Sequence, residues 1–221
     1  MKKILLCFMA VAAMTMFFSC QQNDGKCYIE GTVNGEQYEG KRIFLVPMNG
    51  PKTAEYVDSM EITNGKFHFT KDYTKDTIQM YKILLDYHYR FGLQPLLVVG
   101  EPGHIQVTID SISSAGGTPQ NDSLQMWKEA TEKFHQDYAT YNRTVSMLRE
   151  RGLTEKADTI EQQGREFRVA YKNYTRQLAE NMKEGVLHDF LKVMFPLTYK
   201  RQYPDGTVKT FNADTNEEIS E

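Results

Sequence analysis

From Lys26 onward the chain changes its hydrophobic period once. Between Lys26 and Asp110, short runs of alternating or uniformly apolar residues are separated by turn residues: CYIEGTV, KRIFLVPM, EYVDSMEI, KFHFT, IQMYKILLDY, LQPLLVVG and HIQVTID. A period of two puts alternate side chains on opposite faces, which is the signature of strands. Asn64-Gly65 lies between two such runs, and both residues tolerate positive φ, so it predicts a tight hairpin. Phe67 and Phe69 then share one face, with Lys66, His68 and Thr70 on the other. "EPG" is a further turn, before the last strand. Roughly seven strands at this spacing predict a small antiparallel β-sandwich or barrel-like domain.

After "SSAGGTPQND" the period becomes three and four. Leu124, Trp127, Thr131, Phe134, Tyr138, Tyr141, Val145 and Leu148 form a heptad-like seam that ends at Arg151-Gly152. Asp122 and Gln125 suit a capping box at its start. Ile160, Gly164, Phe167, Tyr171, Tyr174 and Leu178 repeat the spacing, so the two helices form an antiparallel hairpin. The seam's aromatic residues invite a binding-site reading, but an amphipathic face is ordinarily core, and core is the expectation here. A short helix, VLHDFLKVMF, stops at Pro196. A small hairpin about Pro204-Asp205-Gly206 and a frayed polar tail, NADTNEEISE, complete the chain. The predicted class is α+β, with a β domain over 26–115, a helical hairpin and short helix over 116–196, and a hairpin with disordered tail over 197–221.

The first residues carry an address. Lys2 and Lys3 precede the 15 apolar residues Ile4–Phe18. That run reaches roughly 22 Å as a helix, short of the ~30 Å hydrocarbon core, so it reads as a secretory signal over 1–19 and not a span. FFSC at its end resembles a lipobox, although Phe17 stands where Leu is usual. The resemblance implies cleavage before Cys20 and acylation of Cys20, with 20–25 as a polar tether. QQNDG is only weakly similar to acidic export tags. Cys7 leaves with the signal, and Cys27 becomes the lone thiol of the mature chain.

Charge removes one class of partner. Lysine plus arginine number 26 and aspartate plus glutamate 29; without Lys2 and Lys3 the balance is 24 against 29, or −5. No basic stripe is present, so nucleic acid is excluded as the expected partner.

Little chemistry is legible. A thiol enzyme would need Cys27 beside a histidine base, and His68, His88 and His104 all fall in the β block. A free cysteine on an apolar strand is usually buried, however, and reactivity needs exposure and a lowered pKa. The five histidines show no i, i+4 pair and no cysteine at ligand spacing, so no metal or cofactor is expected. "GEPG" is a turn and not a phosphate cradle. Glu217-Glu218 reads as solvated charge. One pattern exceeds compositional expectation: Asp, hydroxyl, aliphatic recurs at Ser59, Thr77, Ser111, Ser123 and Thr159, among twelve aspartates. It resembles a periplasmic O-glycosylation signal. Turn and cap chemistry accounts for the same residues, Asp122-Ser123 above all.

The strand block, with VDSMEITNGKFHF, LLVVGEPGHIQVTID and the following GGTPQNDSLQMW, resembles domain of unknown function 4369 over about Lys26 to Trp127. Looser helical similarity continues to about Phe195. The resemblance implies a β domain of lipoproteins that precedes a helical linker and a thioredoxin-like domain with a Cys-x-x-Cys site. This sequence has no Cys-x-x-Cys, and no catalytic residue carries over. The expectation is therefore a non-enzymatic binding module of the cell envelope, anchored to the outer membrane through Cys20, on its periplasmic or outer face. Its partner is an extracellular ligand or glycan. The alternatives are docking onto a separately encoded thioredoxin-like protein and, least favoured, a peroxidase-like enzyme using Cys27.

Overall fold

Strand β1 (Lys26–Val33) sends Cys27, Ile29, Gly31 and Val33 inward and leaves Lys26, Tyr28, Glu30 and Thr32 on the other side. A computed structural model of the protein describes residues 25–51, 53, 55–72, 78–85 and 95–219, and builds two facing sheets around this alternation. The first has the order β4 (Lys66–Asp72), β1, β7 (Gly103–Ile109), β8 (Ser114–Gly116). The second has the order β3 (Asp58–Glu61), β2 (Arg42–Pro47), β5 (Gln79–Leu84), β6 (Leu96–Gly100). Ile29, Phe67, Phe69, Ile105 and Val107 from the first sheet meet Ile43, Leu45, Tyr81, Ile83 and Val98 from the second in one core. The α+β class holds, but the expected all-antiparallel pairing does not: β1 and β7 run parallel, with Ile29 opposite Ile105. Alternation is blind to direction, and the long stretch between these strands supplies the crossover that parallel pairing needs.

The Asn64-Gly65 hairpin forms as expected. Both residues have positive φ (52° and 66°), and Thr63 bridges Lys66. Glu39 clamps the turn, its carboxylate accepting from the N–H groups of Asn64 and Gly65 at 2.7 and 2.9 Å.

The second sheet is covered on both faces. Leu96 and Val98 enter the inter-sheet core, while Leu97, Val99 and Met80 face a second cluster with Leu124, Trp127, Ala179, Leu187 and Leu191. That double burial explains the unbroken apolar run LLVV, since a strand packed on both sides has no polar face to alternate with. Three helices supply the cover: α1 (Pro119–Glu150), α2 (Thr154–Met182) and α3 (Val186–Met194). Helix α1 starts at Pro119, three residues before the expected cap. Proline suits the first helical position because it has no N–H to leave unpaired. Asp122, inside the first turn, instead accepts from Gly117 N–H at 2.7 Å. At the far end Leu153 N–H reaches Leu148 O and Gly152 N–H reaches Arg149 O, both at 3.0 Å, with Gly152 at φ 70°: a Schellman stop.

The seam aromatics pack between the two helices, most of them half-buried. Phe134 stacks on Tyr171 at 4.2 Å and on Tyr138 and Phe167 at 5.4 and 5.5 Å. Thr131 and Tyr171 share a 2.7 Å hydrogen bond between hydroxyls. Tyr174 departs from the seam and is exposed, and Thr175 and Ala179 are buried instead. Gly164 lets the helices close, since a Cβ there would sit 3.3 Å from Tyr141 Cβ.

The hairpin about Pro204-Asp205-Gly206 forms as expected, but the stretch after it pairs as a strand instead of fraying. Strands β9 (Thr198–Gln202), β10 (Val208–Asn212) and β11 (Glu218–Ile219) form a third sheet, in the order β11-β10-β9. Arg176, with a side chain only 10% exposed, holds Asp214 at 2.5 and 3.1 Å, and Lys172 adds a contact at 2.9 Å. These partners lie about 40 residues from Asp214 in sequence, so a local reading sees only polar residues. Glu218 is exposed, as expected of solvated charge, and also pairs with Lys209 at 2.8 Å.

Candidate functional site

The two sheets differ in what covers them, and that difference exposes one face. On the first sheet the outward positions form a register grid. Tyr28 lies between Thr70 and His104, Glu30 between His68 and Gln106, and Thr32 between Lys66 and Thr108. All nine residues are polar or carry a polar tip. Gln106 Nε2 donates to Glu30 at 3.0 Å, and Tyr28 stacks on His104 with centroids 4.6 Å apart. A shallow concavity of about 770 Å³ runs over β4, β1 and β7, with Met60 and Thr63 at its rim. Its floor is rigid. Gly31 is buried beneath it because the Phe67 ring occupies the place of a Cβ, 2.0 Å from Phe67 Cζ. Flat aromatic rings, paired amide and carboxylate groups, one cation and hydroxyls on a fixed sheet are the ingredients of a polar-ligand site.

Cys27 lies on the opposite side of β1. It is 2% exposed, and burial pushes its thiol up to about 11, against a smaller lowering by the Glu101 backbone amide. His68 and His104 stand on the outward face, so the sheet separates them from the sulfur. Among the described residues, the structure therefore brings no histidine beside the Cys27 thiol. His88 lies outside the described residues, as do Cys20 and Thr77. Among the described residues no group of three His, Cys, Asp or Glu side chains is placed to hold a metal, and no helix is long and apolar enough to cross a membrane.

The four described Asp-hydroxyl-aliphatic positions separate cleanly. Ser59 is half-buried on β3 and accepts from Arg42 at 2.7 Å. Ser123 and Thr159 bond back to Pro119 O and Glu155 O inside helices, at 2.9 and 3.0 Å. Ser111 is exposed in the β7–β8 turn, and its neighbour Ile112 is 85% exposed.

Sequence reasoning missed the junction between sandwich and helices. Asn121 is fully buried; its Oδ1 accepts from Val99 N–H at 2.9 Å and its Nδ2 donates to Val99 O at 2.8 Å. The side chain thus acts as a partner strand for the free edge of β6, and Gln125 does the same for Ala115 N–H on the edge strand β8. Glu101 accepts from the N–H groups of Gln120 and Asn121 at the positive end of α1. The one sequence signal was a polar Gln-Asn-Asp cluster, which reads equally well as loop.

This junction also marks the extent of a family. Residues 27–124 match DUF4369, a domain of unknown function. The match covers just under half the chain and ends in α1 beyond Asn121, so the edge-closing turn belongs to the DUF4369 segment along with both sheets. No curated protein and no solved structure matches the chain.

Proposed function

We propose that this protein is a non-enzymatic binding module of the bacterial cell envelope, lipid-anchored at Cys20, which presents the outward face of its first sheet to a polar ligand, a glycan or an extracellular molecule. One observation carries the reading: in a sandwich whose other sheet is covered on both faces, no described residue lies over the β4-β1-β7 face, which is concave and has polar outward register positions. The buried, high-pKa thiol supports a binding role over thiol chemistry. The outer membrane, on its periplasmic or outer face, is the proposed location. Exposure favours Ser111 over Ser59 and Ser123 as a glycan acceptor, and Thr159, though exposed, is tied to Glu155 O within a helix. Intact mass should then show hexose increments that Ser111→Ala removes.

The test is a glycan array probed with the protein and with a Glu30→Ala/His68→Ala/Gln106→Ala variant. Binding that the variant loses while its circular dichroism stays unchanged supports the face. Binding equal in both proteins removes it. Proteolysis of intact cells then separates surface from periplasmic display.

A second reading is docking onto a separately encoded thioredoxin-like protein. Met126, Met147 and Leu153, exposed along the helical hairpin, favour it, and an in-cell crosslink to such a protein would support it.

A further inference from the structure

Helix α3 and the strand after it meet in an elbow with an unusual surface. Val193, Met194 and Leu197 are 79, 54 and 63% exposed, three large apolar side chains within five residues. The inner side of α3 is satisfied without them, since Leu187 and Leu191 are buried and Phe190 and Phe195 pack edge-on against Trp127. The outer three therefore contribute nothing to the core that would explain them.

The charge around the elbow is predominantly positive, with Asp189 and Asp205 bracketing it. From Phe190 to Pro204 the chain carries Lys192, Lys200 and Arg201 and no acid, within a protein whose overall balance is −3. Lys192 and Lys200 are exposed, and among the described residues no carboxylate lies within ion-pair distance of either. Arg201 lies over the Phe211 ring at 4.8 Å. Asp189, one turn before Val193, contacts His188 at 2.9 Å and is 79% exposed, so it stays hydrated at the edge of the elbow.

We propose that this elbow docks on an anionic phospholipid bilayer, with Val193, Met194 and Leu197 in the interface and Lys192 and Lys200 among the headgroups. A second copy of the chain fits less well, because three side chains fall far short of the ~800 Å² per partner of a stable protein interface. An interfacial segment needs only a few apolar side chains and neighbouring cations, which add about 1 kcal/mol each near an anionic surface. Position agrees. The chain enters β1 opposite Gly103, Glu101 just before it holds Gln120, and Gln120 accepts from Leu187 N–H in the first turn of α3 at 3.0 Å. Helix α3 is nine residues long and spans about 13 Å, so the elbow is about one helix length from the Gln120 contact. A tether of six residues reaches about 20 Å at most. This last step rests on the lipid-anchor reading, and the rest does not.

The test uses the full chain with Leu197→Trp, or Val193→Trp as a second probe, both at exposed sites. It is mixed with vesicles of phosphatidylglycerol and phosphatidylcholine in equal parts, or of phosphatidylcholine alone. Docking predicts a blue shift of the new tryptophan and its quenching by brominated lipid, with Trp127 subtracted using the parent protein. Lys192→Gln and Lys200→Gln should each weaken the anionic-vesicle response about fivefold. Protein that floats with vesicles while residue 197 keeps water-like emission overturns the proposal. So does equal quenching in neutral vesicles, or a blue shift that needs only higher protein concentration and so reports a second copy. Failure of Cys20 to take up labelled fatty acid in cells defeats the anchor reading and leaves the residue 197 result standing.

Discussion

The two sheets of the sandwich are built from strands of similar length and share one core, yet they have opposite outer faces. On β1 the outward residues are Tyr28, Glu30 and Thr32; on β6 they are Leu97 and Val99. The contrast follows from what each face meets. Helices α1 and α3 lie over β5 and β6, so that face must be apolar, whereas nothing among the described residues lies over β1, so its face stays polar. Covered faces carry stability and open faces are free to carry recognition. Substitutions can break this contrast.

The strongest test places a charge on the covered face. Val99→Asp buries a carboxylate between sheet and helices and should cost more than about 4 kcal/mol, leaving no folded protein by circular dichroism. Asn121→Ala comes next. It removes the side chain that pairs both backbone groups of Val99, at an expected cost of about 1–3 kcal/mol per group left unpaired, read by chemical denaturation. If Asn121→Ala is neutral, the edge of β6 is not closed in the way the geometry indicates.

Two smaller tests use pH and charge. Lys128 Nζ is buried with no partner, and desolvation lowers its pKa to about 8. The folded state therefore disfavours the proton relative to the unfolded chain, and stability is lost as pH falls from about 10.5 toward 8. Lys128→Met should raise the Tm at pH 7 and flatten that dependence. Cys27 works in the other direction. Its folded pKa of about 11 lies above the ordinary value of 9.0, so the buried thiol's contribution is complete below pH 9 and is lost as the pH climbs toward 11. Native protein should resist alkylation at pH 8, and denatured protein should react. Rapid native alkylation would reopen the question of a thiol function.

Much of the sandwich was legible in the sequence because its determinants are local. The Asn64-Gly65 turn, the inward Phe67 and Phe69 and the stop at Gly152 each depend on residues within a few positions. What stayed hidden depends on distant partners. Nothing in SAG announces strand β8, which exists because β7 and Gln125 pair with it. The tail reads as disordered until Arg176 supplies a partner for Asp214. That arginine's hydrogen bonds hold the Asp214 carboxyl below the usual range, so the clamp should weaken as pH falls through the Asp214 pKa, with β9–β11 losing amide protection first. The candidate face falls between these cases. Its residues were visible as the polar half of an alternation, but alternation does not say that a face will remain uncovered.

The smallest stability effects belong to that open face, and they test the contrast from the other side. Thr32→Asp adds the same charge to the first sheet that Val99→Asp adds to the second. Thr32 is exposed between Lys66 and Thr108, so the new carboxylate stays hydrated and gains a lysine neighbour. The expected change in unfolding free energy is within about 0.5 kcal/mol. Glu30→Ala should behave alike, since it removes one exposed hydrogen bond to Gln106. If either substitution destabilises by several kcal/mol, the face is covered in the folded protein and is not a recognition surface. If both are silent in stability but abolish ligand capture, the same residues are conspicuous in function and dispensable for folding. A face kept polar by packing alone would lose neither stability nor binding.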